Sequence, residues 1–332
     1  MPTARRQRLL RSSSARSGAL IVAALLAFAI LGPALSPHGP NDSDFVHGVS
    51  VDLSPTGPCA LFPLGADRLY RDVLARLSSG ARLSLLIASA ATLISATIGT
   101  IIGVLSGWLE GSPVRAPWLA IAGAGGALAA LALGRPLTAC LAFGAGCVVA
   151  LATGKKGPLV DIDGALMRLV DVLLAFPFLL LLMAIGAALQ RTTVLTLLLT
   201  LGATGWLGIA RLLRARTMQV RSLDYVVASR ALGESTPGIL LKHVLPNVVG
   251  PLIVAATFLI AQMIVADSIL SYLGVGLSPP AATWGRMLLE GQDEYLTAPR
   301  LVIVPAVAIM LAVWGFNLLG EGLRDALDPR DA

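Results

Sequence analysis

The stretch LSLLIASAATLISATIGTIIGVLSGWL, Leu83 to Leu109, carries no charged residue over 27 positions. About 20 apolar residues suffice for a helix to cross a bilayer, so this stretch predicts a transmembrane helix. Seven further charge-free runs lie along the chain: Gly18–Pro37, Ala116–Gly134, Pro136–Gly154, Val172–Gln190, Thr192–Ala210, Val244–Ala266 and Leu301–Gly320. Together they make eight candidate spans. The chain of 332 residues is 56% hydrophobic and only 13% charged, with a mean hydropathy of +0.80. Soluble domains carry about 25% charged residues, so a soluble globular fold is excluded. Aromatics at 5% and 34 glycines fit helices packed through small side chains better than a barrel of alternating strands. The fold class is all-α polytopic membrane protein. The uncharged stretch Ser268–Gly285 contains Gly274, Gly276, Pro279 and Pro280, turn chemistry that predicts a loop or re-entrant segment and not a ninth crossing.

The formal charge is +6 and the sequence pI about 9.7. The start is arginine-rich (Arg5, Arg6, Arg8, Arg11, Arg16) and free of acid. The Arg5–Arg6 pair invites a twin-arginine export reading, but the following apolar run is long and more spans come after it, so a retained signal anchor is expected. With the N-terminus inside, 17 of the 25 Lys and Arg fall on cytoplasmic pieces, as the positive-inside rule requires. Both termini are therefore placed in the cytoplasm. The same partition explains the basic pI without nucleic acid.

No enzyme site stands out. Gly154-Lys155 does not complete a phosphate loop, because Val149 stands where the first glycine would be and Lys156 where Ser or Thr is needed. Cys59, Cys140 and Cys147 form no CxxC pair, which argues against a disulfide framework or metal cluster. His38, Asp42, Asp44 and His47 could form a metal cluster, but a Pro-, Gly- and Asn-rich loop explains them without fixed ligand spacing. Charges are nearly absent from the eight runs, which weakens an ion-coupled carrier.

The stretch Arg211 to Asn247 is too polar to cross the membrane, yet it is punctuated like two short helices. Leu223-Asp224 opens an amphipathic run in which Val227 and Ala231, and Ala228 and Leu232, are four apart, and Gly233 supplies a C-terminal cap. Thr236-Pro237 restarts a helix with an N-cap residue and Pro at the first helical position, and Pro246 closes it. Two helices joined by a glycine turn make a rigid knob suited to a soluble partner. An interfacial helix lying on lipid headgroups fits the periodicity equally well.

The strings Asp224-Tyr225-Val226-Val227-Ala228-Ser229-Arg230-Ala231-Leu232-Gly233-Glu234-Ser235 and Lys242-His243-Val244-Leu245-Pro246-Asn247 resemble the EAA loop of ABC importer permeases of the dipeptide/oligopeptide/nickel group. Leu64 to Val73 with Gly80 to Leu85, Met167 to Pro177, Ser271-Tyr272-Leu273-Gly274 with Trp284-Gly285, and Glu321 to Arg330 resemble, in the same order, pieces of the second permease subunit of these systems. There are three departures. Val227 stands where the family has glutamate, with Glu234 as a candidate substitute. Tyr70 stands where the family has glycine. Ser112 to Leu159 is an insertion carrying two apolar runs around Arg135; an even number of added spans preserves the orientation downstream.

The resemblance implies an ABC importer type I permease bundle with six core transmembrane helices, plus the inserted two-helix hairpin. The organisation expected is a basic cytoplasmic N-terminus (1–17), a first transmembrane helix (18–37) and an external segment (38–82). A permease core (83–320) follows, with the insertion at 112–159 and the coupling loop at 211–247, then a cytoplasmic C-terminus (321–332). It further implies uptake of di- or oligopeptides across a prokaryotic inner membrane by alternating access, with nickel or another small solute as the alternative and a stand-alone ion-coupled carrier as the competing class. The chain itself would be no enzyme and hold no cofactor; ATP and Mg²⁺ would act on two ABC ATPase subunits. A homologous permease subunit would complete a heterodimer in the lipid, and an extracytoplasmic solute-binding protein would deliver substrate. No nucleic acid is involved. The implied ATPase-docking residues are Asp224, Val227, Ala228, Ser229, Arg230, Ala231, Leu232, Gly233, Glu234, Leu245 and Pro246.

Each apolar run of the insertion is 19 residues long, enough to cross a core of about 30 Å at 1.5 Å per residue. A cysteine placed at position 135, in a background lacking the native cysteines, should react with an impermeant thiol reagent added from outside. Labelling only after the membrane is opened would show that the hairpin does not cross.

Overall fold

The computed structural model describes residues 12–50, 54–112, 114–115, 159–188 and 192–327. Its helices are α1 (Ser13–Leu31), α2 (Val73–Leu109), α3 (Ile162–Ala175), α4 (Phe178–Ala188), α5 (Val194–Arg221), α6 (Asp224–Ala231), α7 (Thr236–Ile239), α8 (Leu245–Tyr272), α9 (Trp284–Gly291) and α10 (Arg300–Leu327). Among the described residues five helical units are long and apolar enough to cross a membrane, or six if the bent pair α3–α4 is one crossing. The other two of the eight expected spans, the runs around Arg135, lie outside the described residues. What is visible of the insertion is its two ends: Val114–Arg115 pairs antiparallel with Leu159–Val160, so the block leaves and rejoins the bundle at one point.

The long central pair is α2 and α5. Gly99, Gly103 and Gly107 recur every four residues and so share one face of α2. A β-carbon at Gly103 would lie 2.5 Å from the carbonyl oxygen of Ala210, and one at Gly107 2.5 Å from that of Arg214. The backbones approach too closely for any side chain, the small-xxx-small packing that substitutes for hydrophobic driving force in lipid. Ser95 Oγ adds an inter-helix bond to the Gly202 carbonyl at 2.9 Å. On the far side, α1 lies against α10 by the same means, Gly18 against Leu318 and Leu319 and Gly322 against Ala15.

Several boundaries differ from expectation for identifiable reasons. Val172–Gln190 is not one straight span: the chain bends by 87° between α3 and α4. Phe176, preceding Pro177, is extended (φ −80°, ψ 134°), as a residue before proline prefers. Thr192–Ala210 starts at a Thr193–Thr196 capping box and continues to Arg221, because arginine is a good helix former and does not end a helix. Asp267 breaks the charge-free pattern but not α8, which runs through it to Tyr272; its side chain is completely buried. The turn expected over Ser268–Gly285 therefore begins only at Leu273, with Gly274 at φ +79°.

At one end of the bundle, the segment before α2 folds over the helix ends. Asp72 caps α2, accepting the Leu74 N–H at 2.8 Å, and also accepts the Ser36 hydroxyl. Asp44 accepts the N–H groups of Val46 and His47 and faces His47 Nδ1 at 3.0 Å. The His47 and Val46 N–H groups hold its carboxyl down at about 2. Among the described residues no group of three His, Cys, Asp or Glu is arranged to hold a metal, and Asp42 closes a turn on the Gly39 N–H. Tyr70 is held at φ +58°, the left-handed region that glycine enters freely; its ring meets Phe45 edge-on.

A buried ion cluster locks this segment to α9. Arg71 donates to Asp67 and Glu290 at 2.7 Å, Arg76 to Glu290 at 2.8 Å, and Arg286 to Glu290 at 3.0 Å. Trp284, fully buried, donates Nε1 to the Leu77 carbonyl at 3.2 Å. Glu290 thus neutralises cations from α2 and α9 together. Removing one partner of a buried ion pair typically costs about 3–5 kcal/mol, because the other charge stays buried and unpaired. Glu290→Ala should accordingly destabilise the protein by that amount, read as a lowered thermal midpoint in detergent, while Arg68→Ala at the exposed Asp293 pair should change it little.

Candidate functional site

At the opposite end of α2 and α5 the chain builds the knob. Helix α6 begins at Leu223, which offers no side-chain cap. Gly233 follows at φ +83°, where an added β-carbon would meet nothing within 4 Å, so its backbone conformation alone explains the glycine. The next helix starts one residue earlier than expected: Ser235, not Thr236, is the N-cap, its hydroxyl facing the Gly238 N–H. Pro246 does not close that helix either. The five residues Leu240–Val244 form a π-helical turn and α8 continues directly through Pro246. A π turn absorbs the missing proline N–H and the clash with the carbonyl four residues back. The knob is consequently one continuous piece with a membrane helix.

Glu234 is the staple. It accepts the Ser229 hydroxyl, Lys242 Nζ at 3.0 Å and faces His243 Nε2 at 3.2 Å. The Ser229 and Lys242 bonds hold its carboxyl down at about 2, so it stays ionised throughout the physiological range. Asn247 Nδ2 donates to the Tyr225 hydroxyl at 3.0 Å and to the His243 carbonyl at 2.7 Å, tying α6 to the start of α8. Glu234 is therefore engaged within the knob and is not presented outward.

Two arginines join the knob to α2. Arg221 donates to the carbonyls of Gly107, Trp108 and Glu110 at 3.2, 3.0 and 2.9 Å and to the Glu110 carboxylate. Arg230 places its guanidinium carbon 4.6 Å from the centroid of the Trp108 ring. One level deeper, Arg214 on α5 clasps Asp163 of α3 through two 2.6 Å bonds, and Ser106 of α2 donates to the same carboxylate. A hollow of about 530 Å³ separates Trp108 and Glu110 from Thr236 and Ile239, so the knob is not packed solid against α2.

Of the residues singled out from sequence, Asp224, Val227, Ala228, Ala231, Leu232, Gly233 and Pro246 are exposed, Ser229, Glu234 and Leu245 half-buried, and Arg230 lies against Trp108. Val226, Ile239 and Val244 are buried and hold the knob down. Among the large apolar side chains of the knob, Leu232 is 88% exposed, Leu241 65% and Val227 54%. Trp108, Glu110 and Arg221 were not legible as members, since their partners lie more than a hundred residues away in sequence.

A cation over an aromatic face is worth about 0.5–1 kcal/mol at an exposed site. Arg230→Gln and Trp108→Leu should each speed amide exchange across α6, and the double variant should be no faster than the faster single, because both remove the same contact. Additive effects would break the assignment.

The family profile described as binding-protein-dependent transport system inner membrane component matches residues 142–331. The profile described as N-terminal TM domain of oligopeptide transport permease C matches residues 4–54. The dipeptide transport system permease protein DppC of Bacillus subtilis is 32% identical over 98% of this chain and 84% of its own length. The di/tripeptide transport system permease protein DppC of Pseudomonas aeruginosa is 34% identical over 98% and 90%, and the oligopeptide transport system permease protein OppC of Haemophilus influenzae 29% over 98% and 88%.

Proposed function

The chain belongs to the family of binding-protein-dependent transport system inner membrane components, and from that premise we propose that it forms one half of the pathway of a peptide importer. Relatives named for dipeptide, di/tripeptide and oligopeptide transport, aligned over nearly the whole chain, support peptides as the cargo. A second, homologous permease subunit supplies the other half. ATP and Mg²⁺ act on two ATPase subunits, and an external solute-binding protein delivers the peptide. Both termini and the knob lie on the cytoplasmic side.

The observation that carries this reading is the knob itself. It leaves Leu232, Leu241 and Val227 exposed, is braced internally by Glu234, and continues without interruption into α8. A rigid piece that an ATPase can push, joined covalently to a membrane helix and through Arg221 and Arg230 to α2, transmits a rigid-body movement into the bundle. With Val227 in place of an acid and Glu234 engaged internally, the ATPase contact is apolar. When the ATPase pair closes on ATP, the two knobs of the permease pair move with it, and the pathway exchanges its opening from one side of the membrane to the other.

The test is Gly233→Val in the complex reconstituted with its ATPase and binding protein. A left-handed conformation costs a residue bearing a β-carbon about 1–2 kcal/mol, so the turn should rearrange. ATP hydrolysis should continue while uptake of a labelled tripeptide is lost, with membrane insertion unchanged. Uptake equal to wild type would refute the coupling role of the knob.

A further inference from the structure

Between α3, α4, α5, α8 and α10 lies a hollow of about 870 Å³ whose lining includes Leu174, Phe178, Ile209 and Phe258. That volume is within the range of pockets that hold small ligands. The lining contains no Asp, Glu, Lys or Arg, but it includes two carboxamides, Gln262 of α8 and Asn317 of α10. Gln262 sits ten residues before α8 ends at Tyr272, and Asn317 lies within the charge-free run Leu301–Gly320 of α10. Neither makes a hydrogen bond among the described residues. An amide left without a partner at membrane depth is costly, and hydrocarbon cannot supply one. Two such groups reaching one hollow from different helices therefore mark a surface that meets something polar.

We infer that this hollow is a subsite of the pathway that holds the main chain of a peptide in transit, with Gln262 and Asn317 as its hydrogen-bonding groups. Each carboxamide offers a donor and an acceptor, which is what a peptide bond offers in return. The apolar remainder of the lining accepts uncharged side chains without selecting among them. The absence of charge in the lining leaves the peptide's termini and charged side chains unread here. Gly208 also lines the hollow, and a β-carbon there would meet nothing within 4 Å, so the space is open on the α5 side. The inference rests on the peptide-importer reading and adds to it the place where cargo is held and the chemistry that holds it.

The experiment is uptake of labelled trialanine by vesicles containing the whole complex, at saturating binding protein. Gln262→Leu and Asn317→Leu keep the approximate volume and remove the hydrogen bonds. Each should lower uptake about tenfold, the effect of losing one hydrogen bond of ordinary strength. Gln262→Asn and Asn317→Gln should restore most of it. Recovery of the second permease and the ATPase in a pull-down should equal that of wild type. Leu variants that transport as well as wild type would overturn the subsite. So would a loss of uptake in proportion to a loss of complex in the pull-down, since the hollow would then be the seat of the partner permease. A wild-type complex that takes up no peptide at all would instead refute the peptide reading, an outcome visible before any variant is made. As a second readout, Gly208→Cys, which lines the hollow without being one of its hydrogen-bonding groups, in a chain with Cys59, Cys140 and Cys147 changed to serine, should be protected from a thiol reagent by trialanine during turnover. Equal labelling with and without peptide would overturn the assignment.

Discussion

The close approach of α2 and α5 is the constraint on which the rest depends. Lipid tails are as apolar as leucine, so helices in a membrane gain little from hiding hydrophobic side chains against each other and associate through packing. Gly99, Gly103 and Gly107 bring the two backbones within reach of carbonyl oxygens that any larger residue would strike. With that axis fixed, the ends of both helices are fixed too. At one end they position Arg214, Arg221 and Trp108 around the knob; at the other they position Arg76 and Trp284 under the folded segment.

The two ends use polar chemistry differently. Around Glu290 the buried guanidinium groups of Arg71 and Arg76 share one carboxylate, which ties the segment before α2, the head of α2 and α9 together. Around the knob the ion pairs are partly exposed, as for Lys242 and Glu234, and a hollow lies behind them. Exposed pairs contribute little stability. They orient the knob without cementing it, which suits a piece that must move with a partner while its own shape stays constant. Low local stability is where moving elements are drawn from.

Much of this was legible in the chain. The charge-free runs located the membrane helices, and the Gly233 turn and the flanking short helices were read from capping chemistry. Tyr70 stood out as a residue where a glycine was expected, and its positive φ gives the reason. The failures have physical causes. Pro246 looked like a terminator, but a π turn accommodated it. Thr236 looked like the cap, yet Ser235 took the place because the chain turned one residue sooner after Gly233. Val172–Gln190 looked like a straight span, although the residue before Pro177 disfavours a helical conformation.

By itself the sequence determined the class of fold, the place of most apolar helices along the chain, the distribution of positive charge and the punctuation of the knob. These depend on local composition and on periodicities of a few residues, which survive without knowledge of neighbours. Only the tertiary structure decided that the glycines of α2 face α5, that Glu290 gathers Arg71 and Arg76 from more than 200 positions away, that Arg230 rests on Trp108, and that Gln262 and Asn317 share a hollow. Each of those depends on how helices distant in the chain are rotated and offset against one another. That rotation is set by packing over the whole bundle, and no local pattern encodes it.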